Sequence, residues 1–239
     1  MNLLPWEFHT LITATSSFGF GTQANQFRNA LLDGLNTLDN TQPAAVFSDI
    51  IGLAGGVRGL AMSDVVSFAP IVSPNHALIN GTESLCELAR VLADLQNLDG
   101  SWNWHSDLSS LGGAGETDKD TQTSAYAILA LVEAQLDGCG PFPSELRAAR
   151  AWLSTMQDVD GGFFSYPTGT HNIEVEGEAT LALVKRPGDV DGDEFVNVFD
   201  IISLLGAWGS CIDCPEDFNG DNSVNVSDLL ILIPAWGPP

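Results

Sequence analysis

The sequence predicts an all-α protein with a larger helical domain and a small C-terminal module. In residues 82–184, apolar residues recur at helical spacing in four separate segments. Further along, one short string of acidic and amide residues occurs twice, and each copy precedes a short apolar helix. We therefore divide the chain into an N-terminal segment, 1–77, a helical repeat domain, 78–184, a linker, 185–188, and a C-terminal module, 189–239.

The duplicated string occupies residues 189–200 and, 28 residues later, residues 217–228. In each copy, oxygen-bearing side chains fall at positions 1, 3, 5, 9 and 12, and position 7 can add a backbone carbonyl. This is the spacing of an EF-hand calcium loop, in which the cation collects about six to eight oxygens. The predicted ligands are Asp189, Asp191, Asp193, Phe195, Asn197 and Asp200 in the first loop, and Asp217, Asn219, Asp221, Ser223, Asn225 and Asp228 in the second.

Two further loop positions have structural roles. Position 8 is Val196 or Val224, and we expect these apolar residues to pack both loops against a shared core. Position 6 favours glycine because its backbone is left-handed, but the sequence has Glu194 and Asn222 there. Asparagine tolerates this conformation, whereas glutamate costs about 1 kcal/mol, so the first site is predicted to be the weaker one.

The loops and their exiting helices, IISLLGAWG and LLILIPAWG, resemble the type I dockerin domain. The resemblance covers about residues 187–239. It implies two bound calcium ions, a compact three-helix module and docking onto a cohesin-like partner protein. Loop positions 10 and 11, where dockerins often carry a Ser-Thr pair for that partner, are Val198-Phe199 and Val226-Ser227 here. At these two positions the sequence departs from the dockerin pattern that contacts the partner.

Two turns of the helical domain share a second pattern, 61 residues apart. Its members are Gln96, Gly100 and Trp102 in the first turn and Gln157, Gly161 and Phe163 in the second. We predict that the glutamine bonds backbone groups at the helix end and that the aromatic residue packs back over the turn. The string resembles the QW motif of squalene and hopene cyclases and related α/α-toroid proteins. Over about residues 78–184, this resemblance implies a partial ring of helical hairpins.

The expected helices follow the apolar periodicity. The first clear one has Thr82 as its N-cap and ends near Leu95 and Gln96. Further helices are predicted at 25–40, around 48–53, at 121–136, at 144–157 and at 176–184. The N-terminal segment, 1–77, could thus hold one more, degraded hairpin.

An enzymatic interpretation starts at Asp118-Lys119-Asp120-Thr121, which resembles the D-x-D-D acid string of the cyclases with Thr in place of the last Asp. By that resemblance Asp120 would be the general acid. The aromatic walls of the pocket, facing a carbocation or a sugar ring, would be Trp102, Trp104, Phe163, Phe164 and Tyr166. The alternative is that Asp118 and Asp120 cap the helix starting at Thr121. The matching carboxylates of the other hairpin are Glu174, Glu176 and Glu178. We favour capping and leave the catalytic residues unassigned.

The cysteines and histidines are predicted to have structural roles. Cys211 and Cys214 are expected to form a local disulfide between the calcium loops, since no βαβ pattern supports a redox site. Cys86 is expected to be buried and inert, and Cys139 to be free. Three histidines are placed in solvated or partly exposed loops: His76, His105 and His171.

The formal charge of −23 argues against nucleic acid as a partner. No Lys or Arg follows Arg186, so folding of the acidic module is expected to be coupled to calcium. No stretch approaches the roughly 18 apolar residues of a membrane span. The first residues form a poor signal peptide, whereas calcium loops indicate an extracellular or cell-surface protein, so we expect a fragment or a misassigned start.

We expect a calcium-binding, dockerin-bearing protein that attaches a helical domain of binding or structural activity to a cohesin-like partner. The alternative is an extracellular polysaccharide-degrading lyase or hydrolase, or a terpene-cyclase-like enzyme, and polysaccharide is then a further partner. An enzyme predicts a deep pocket lined by Trp102, Trp104 and Tyr166. A scaffold predicts those aromatic residues packed against helices, with Asp120 at a helix start.

Overall fold

The computed structural model describes residues 11, 15, 17–40, 49–106, 118–167, 169–184, 186–192, 194–212 and 214–237. Within these residues the chain is mostly helical, with eight α-helices and one two-stranded sheet, which confirms the predicted all-α class. The chain divides into two compact units, the first ending at Leu183 and the second beginning at Val184. None of the described helices is long and apolar enough to cross a membrane.

The described part of the first unit contains three helical hairpins. Its helices are α1 (Gly21–Asn36), α2 (Asp49–Ala61), α3 (Leu85–Asp94), α4 (Thr121–Leu136), α5 (Pro143–Thr155) and α6 (Ile173–Leu183). Helices α2, α4 and α6 pack side by side in that order, and α1, α3 and α5 each pack against the helix that follows them. The pair α1 and α2 is therefore a further hairpin in front of the two that the repeated turns predict.

Helix α2 is longer than predicted and almost completely buried. Its glycines allow α1 and the residues that follow α1 to approach closely. A Cβ atom on Gly56 would lie 2.5 Å from the Leu35 side chain, and one on Gly52 would lie 2.6 Å from Leu38. The predicted helix around 48–53 covers less than half of it. A helix buried all round has no polar face, so its sequence lacks the periodicity that marks an amphipathic helix.

The starts of two helices depend on local caps. Ser84, not Thr82, caps α3, and it forms a capping box with Glu87. Thr82 instead donates its hydroxyl to the carbonyl oxygen of Ile79 at 2.8 Å, so the predicted cap is wrong by two residues. Asp120 caps α4 and accepts a hydrogen bond from the Thr123 N–H at 2.7 Å. The capping role that we favoured is confirmed for Asp120, whereas the Asp118 carboxylate contacts the Trp104 indole N–H at 3.4 Å.

The repeated turns have the predicted contacts. The Gln96 side-chain nitrogen donates to the carbonyl oxygens of Gly100, at 3.0 Å, and Glu145, at 2.8 Å. Gln157 donates to Gly161 in the same way at 3.0 Å. The aromatic residues of both turns are fully buried, and the Trp102 indole N–H donates to the carbonyl oxygen of Leu92. Because Gln96 also contacts Glu145, the first turn holds the start of α5.

All four cysteines are paired. Cys86, at the start of α3, forms a disulfide with Cys139, which follows α4. The predictions of a buried, inert Cys86 and a free Cys139 are both wrong, because the partners lie 53 residues apart and local sequence does not show the pairing. The predicted Cys211–Cys214 disulfide is confirmed.

The second unit is built from two copies of a loop and helix. Its elements are α7 (Val198–Gly206), β1 (Gly209–Ser210), β2 (Ser223–Val224), α8 (Val226–Leu232) and a 3₁₀ turn (Ile233–Ala235). The described part thus has two helices and a 3₁₀ turn where the resemblance implied three helices. The core consists of two pairs of equivalent residues, Val196 with Val224 and Leu204 with Leu232. The shared core predicted from loop position 8 is confirmed.

The two copies complete each other through their backbones. Val224, in the second loop, pairs in an antiparallel ladder with Gly209, which ends the first copy. Val196, in the first loop, forms the equivalent bridge with Gly237, which ends the second copy. Gly237 donates its N–H to the Val196 carbonyl oxygen at 2.8 Å. Each loop is therefore fixed by the other copy.

Candidate metal centres

The first residue of each loop organises the backbone around it. Its carboxylate accepts hydrogen bonds from the N–H groups at positions 4 and 6 of the same loop. In the first loop, Asp189 accepts from Gly192 at 2.7 Å and from Glu194 at 3.0 Å. In the second loop, Asp217 accepts from Gly220 at 2.8 Å and from Asn222 at 2.7 Å. The chain is thereby wrapped around the carboxylate, as a cation-binding loop requires.

The last residue of each loop closes the same frame. Its carboxylate accepts from the N–H groups at positions 2, 3 and 9. In the first loop, Asp200 accepts from Val190 at 2.7 Å, Asp191 at 3.2 Å and Asn197 at 2.8 Å. In the second loop, Asp228 accepts from Phe218 at 2.9 Å, Asn219 at 3.3 Å and Asn225 at 2.9 Å. Both carboxylates are fully buried. The end of each loop is thus tied to its beginning.

Position 9 connects each loop to its helix. The Asn197 side chain accepts a hydrogen bond from the Phe199 N–H at 2.8 Å, and Asn225 accepts from Ser227 at 2.8 Å. Together with the aspartate at position 12, each asparagine forms a capping box. Loop and helix therefore form one local unit in each copy, because the same asparagine and aspartate belong to both.

The carboxylates of the first loop converge. One oxygen each from Asp189, Asp191 and Asp200 lies within 4.8 Å of the others. Burial raises the pKa of Asp189 to about 6, and repulsion from Glu194 and Asp200 adds to the effect. Hard oxygen donors that repel one another suit a divalent cation such as Ca²⁺, which would neutralise them. Asp193 lies outside the described residues.

The second loop has the same frame with fewer charges. Asn219 stands at position 3, and its side-chain oxygen accepts from the Asp221 N–H at 2.9 Å. The Asn225 side-chain nitrogen lies 3.4 Å from an Asp221 carboxylate oxygen and donates to the Ser223 carbonyl oxygen at 3.0 Å. In the first loop, Asn197 approaches the Phe195 carbonyl oxygen at 3.4 Å. Backbone carbonyl oxygens such as these are among the donors that bind calcium.

Both residues at position 6 adopt the left-handed conformation that the loop requires. The φ angle is 68° at Glu194 and 64° at Asn222. Glu194 is a long side chain in a region that such residues rarely adopt, and it is also buried next to Asp189. The predicted backbone is therefore present, and the weaker affinity of the first loop stays a prediction.

A second potential metal group consists of Cys211, Cys214 and Glu216, whose donor atoms also lie within 4.8 Å of one another. Both sulfur atoms are held in the disulfide. Thiolates are the form in which cysteine binds a metal, so the oxidised pair offers none. The acidic loops are the better candidates.

The residues proposed for catalysis in the first unit have structural contacts. Trp102 is buried against α3, and Asp120 caps α4, with burial raising its pKa. Glu178 does not open α6 but lies in its middle, where it accepts hydrogen bonds from the Tyr126 hydroxyl and, at 2.8 Å, from Gln122. Asn172 caps this helix through the Glu174 N–H at 3.1 Å. Trp102 and Asp120 thus have the contacts that a scaffold predicts.

Two histidines are buried where the sequence predicted solvated or partly exposed loops. His76 is fully buried with its Nε2 atom 3.0 Å from an Asp49 carboxylate oxygen, and the His105 Nε2 atom lies 3.8 Å from the other oxygen. Both predictions were wrong because the common partner, Asp49, lies far away in the sequence. His171 is partly exposed and pairs with Asp158 at 2.8 Å, as predicted for a loop contact.

Neither a protein-family model nor a curated protein nor a solved structure matches this chain. The repeated geometry of the two acidic loops is therefore the strongest guide to function. It combines oxygen donors, a left-handed position 6 and a capped exit helix in both copies.

Proposed function

We propose that the second unit is a dockerin-like module that binds two calcium ions, one in each loop. The observation that supports this best is the identical frame of hydrogen bonds around positions 1 and 12 of both loops. An acidic surface linker has no reason to repeat this frame. The side-chain and carbonyl oxygens that remain around each frame are the donors that calcium prefers.

The bound ions would hold a surface that docks onto a cohesin-like protein. Apolar residues are exposed in equivalent pairs along α7, α8 and the turns that follow: Val198 with Val226, Ile202 with Leu230, Leu205 with Ile233, and Trp208 with Trp236. Phe199 adds a further exposed ring in the first copy only. Large exposed apolar patches mark protein interaction sites. Because the loops cap both helices, calcium would fix the direction in which these residues point.

The first unit is proposed as the cargo of this attachment, a partial α/α toroid of binding or structural activity. Its row of α2, α4 and α6, flanked by α1, α3 and α5, supports the toroid resemblance. The buried Trp102 and the helix-capping Asp120 favour a scaffold over a polysaccharide-degrading or cyclase-like enzyme. Two disulfides support an oxidising compartment, and hence an extracellular or cell-surface location.

Calorimetric titration of the calcium-free full chain tests the proposal, with circular dichroism recorded before and after excess EGTA. We expect two ions per chain and a loss of helical signal on chelation, because folding and metal binding are coupled. Asp228→Ala should remove one ion, whereas Asp33→Ala, on the exposed side of α1, should leave both. Absence of calcium binding, together with an unchanged spectrum in EGTA, would refute the proposal.

A further inference from the structure

The two calcium loops are anchored at equivalent residues of different chemistry. The N–H of Asp217, at position 1 of the second loop, donates to the carbonyl oxygen of Cys214 at 3.2 Å. The N–H of Asp189, at position 1 of the first loop, donates to the carbonyl oxygen of Arg186 at 3.0 Å. Arg186 and Cys214 are 28 residues apart, so they occupy the same place in the two copies.

In the second loop the anchor is a disulfide. Cys214 is bonded to Cys211, and the Cys211 N–H donates to the carbonyl oxygen of Asn222 at 3.0 Å. Asn222 is the left-handed residue at position 6. The disulfide precedes the loop and links the two residues that hold its positions 1 and 6 from the outside. Both cysteines also pack against the core of this unit.

In the first loop the anchor is a guanidinium group. Leu183 stands where Cys211 stands in the second copy, so no equivalent disulfide can form. Arg186 instead donates its side-chain N–H groups to the carbonyl oxygens of Ala235, at 2.6 Å, and Gly237. Gly237 is the backbone partner of Val196, at position 8 of the first loop. Arg186 thus connects positions 1 and 8 without a covalent bond.

We infer that the Cys211–Cys214 disulfide positions the second calcium loop and that Arg186 positions the first, so that calcium binding by the second loop alone depends on redox state. This inference rests on the proposed function. A dithiol reductant supplies two electrons and two protons: the S–S bond breaks, two thiols form, and the dithiol becomes a disulfide. Cys211 and Cys214 are then no longer linked, and the second loop loses its external brace.

The expected loss of calcium affinity can be judged from other metal sites, where residues that position a ligand have been removed. Loss of such a residue weakens metal binding by about tenfold to a hundredfold. Because Asp217 and Asn222 are both held by the disulfide residues, we expect the second loop to lose affinity within this range. The first loop, held by Arg186, should change by less than about twofold.

The test is a calcium titration of the full chain in which nuclear magnetic resonance monitors the amide signals of Gly192 and Gly220. These glycines occupy position 4 of the first and the second loop, so each reports on its own site. The variant is Cys211→Ser with Cys214→Ser, which avoids a reductant that would also open the Cys86–Cys139 disulfide. Cys86→Ser with Cys139→Ser is the matched control. We expect the Gly220 transition to move to higher calcium in the first variant only.

Arg186→Lys is the reciprocal variant. Lysine keeps the positive charge but lacks the planar fork that reaches two carbonyl oxygens. It should shift the Gly192 transition to higher calcium and leave the Gly220 transition in place. Such opposite selectivity is not expected from a general loss of stability, which would affect both loops.

Equal shifts of both transitions in the cysteine variant, or no shift of the Gly220 transition, would overturn the inference. A retained Gly192 transition in that variant shows that the unit is folded. If neither glycine of the unmodified chain responds to calcium, the proposed function itself fails. The two failures are therefore distinguishable in one set of spectra.

Discussion

His76 and Asp49 form a buried contact in which the histidine Nε2 atom lies 3.0 Å from a carboxylate oxygen. The Ser106 N–H donates to the other oxygen at 3.0 Å. Desolvation alone would raise the pKa of Asp49, but the hydrogen bonds from His76 and Ser106 outweigh it and lower the pKa. This carboxylate therefore ties the start of α2 to two distant loops.

Asp49→Asn should destabilise the first unit in a pH-dependent manner. The carboxyl is more acidic in the folded than in the unfolded chain, so its contribution is present above the ordinary value of 3.8 and is lost as the pH falls through the lower folded value. We expect a loss of about 1–3 kcal/mol in unfolding free energy at neutral pH, shrinking under acid conditions. Chemical unfolding at a series of pH values measures it, with Asp33→Asn as the exposed control. A loss that is the same at every pH would contradict this.

Gly100→Ala should be far more damaging than Gly161→Ala, although the two glycines are equivalent. Both have a left-handed backbone, with φ angles of 94° and 90°. A Cβ atom on Gly100 would lie 2.2 Å from the Ala148 carbonyl oxygen, whereas one on Gly161 would have only the Gln157 side chain near it, at 3.9 Å. We expect the free energy of unfolding to fall by about 2–4 kcal/mol in Gly100→Ala and by about 1 kcal/mol in Gly161→Ala. Calorimetric unfolding of both variants decides this, and equal costs would mean that the first turn does not hold α5.

Glu194→Gly should strengthen calcium binding by the first loop. Glycine removes the strain of the left-handed backbone, worth about 1 kcal/mol or about fivefold in affinity. Glu194→Gln is the matched control, because it removes the same charge and keeps the strain. Asn222→Gly should change the second loop by less than about twofold, since asparagine tolerates this conformation. Titration of the three variants is the measurement. Equal affinities of the Gly and Gln variants would contradict the argument.

Local chemistry made part of the structure predictable. Gln96 and Gly100 lie four residues apart and contact each other, so their turn is visible in the sequence. Position 6 of each loop could be assigned a left-handed backbone because its neighbours set the spacing of a calcium loop. In both cases the interacting groups are close in the chain, and residue type alone restricts the geometry.

Other features depend on contacts between distant residues and left no local signal. The partner of Cys86 is 53 residues away, and His76 is 27 residues from Asp49. The glycines of helix α2 pack closely on Leu35 and Leu38, and the sequence alone does not show this contact. Arg186 precedes the repeated string, so the sequence predicts only a linker there; its contacts are with Ala235 and Gly237, which lie 49 and 51 residues away.

The crossed pairing of Val196 with Gly237 and Val224 with Gly209 makes neither half of the second unit self-sufficient. Separating the two copies would leave the backbone groups of Val196 and Val224 without these partners, and because both residues are buried the cost would be large. An isolated half could recover those bonds only by associating with another half. The tandem duplication thus provides within one polypeptide a pairing that a single copy could obtain only as a homodimer.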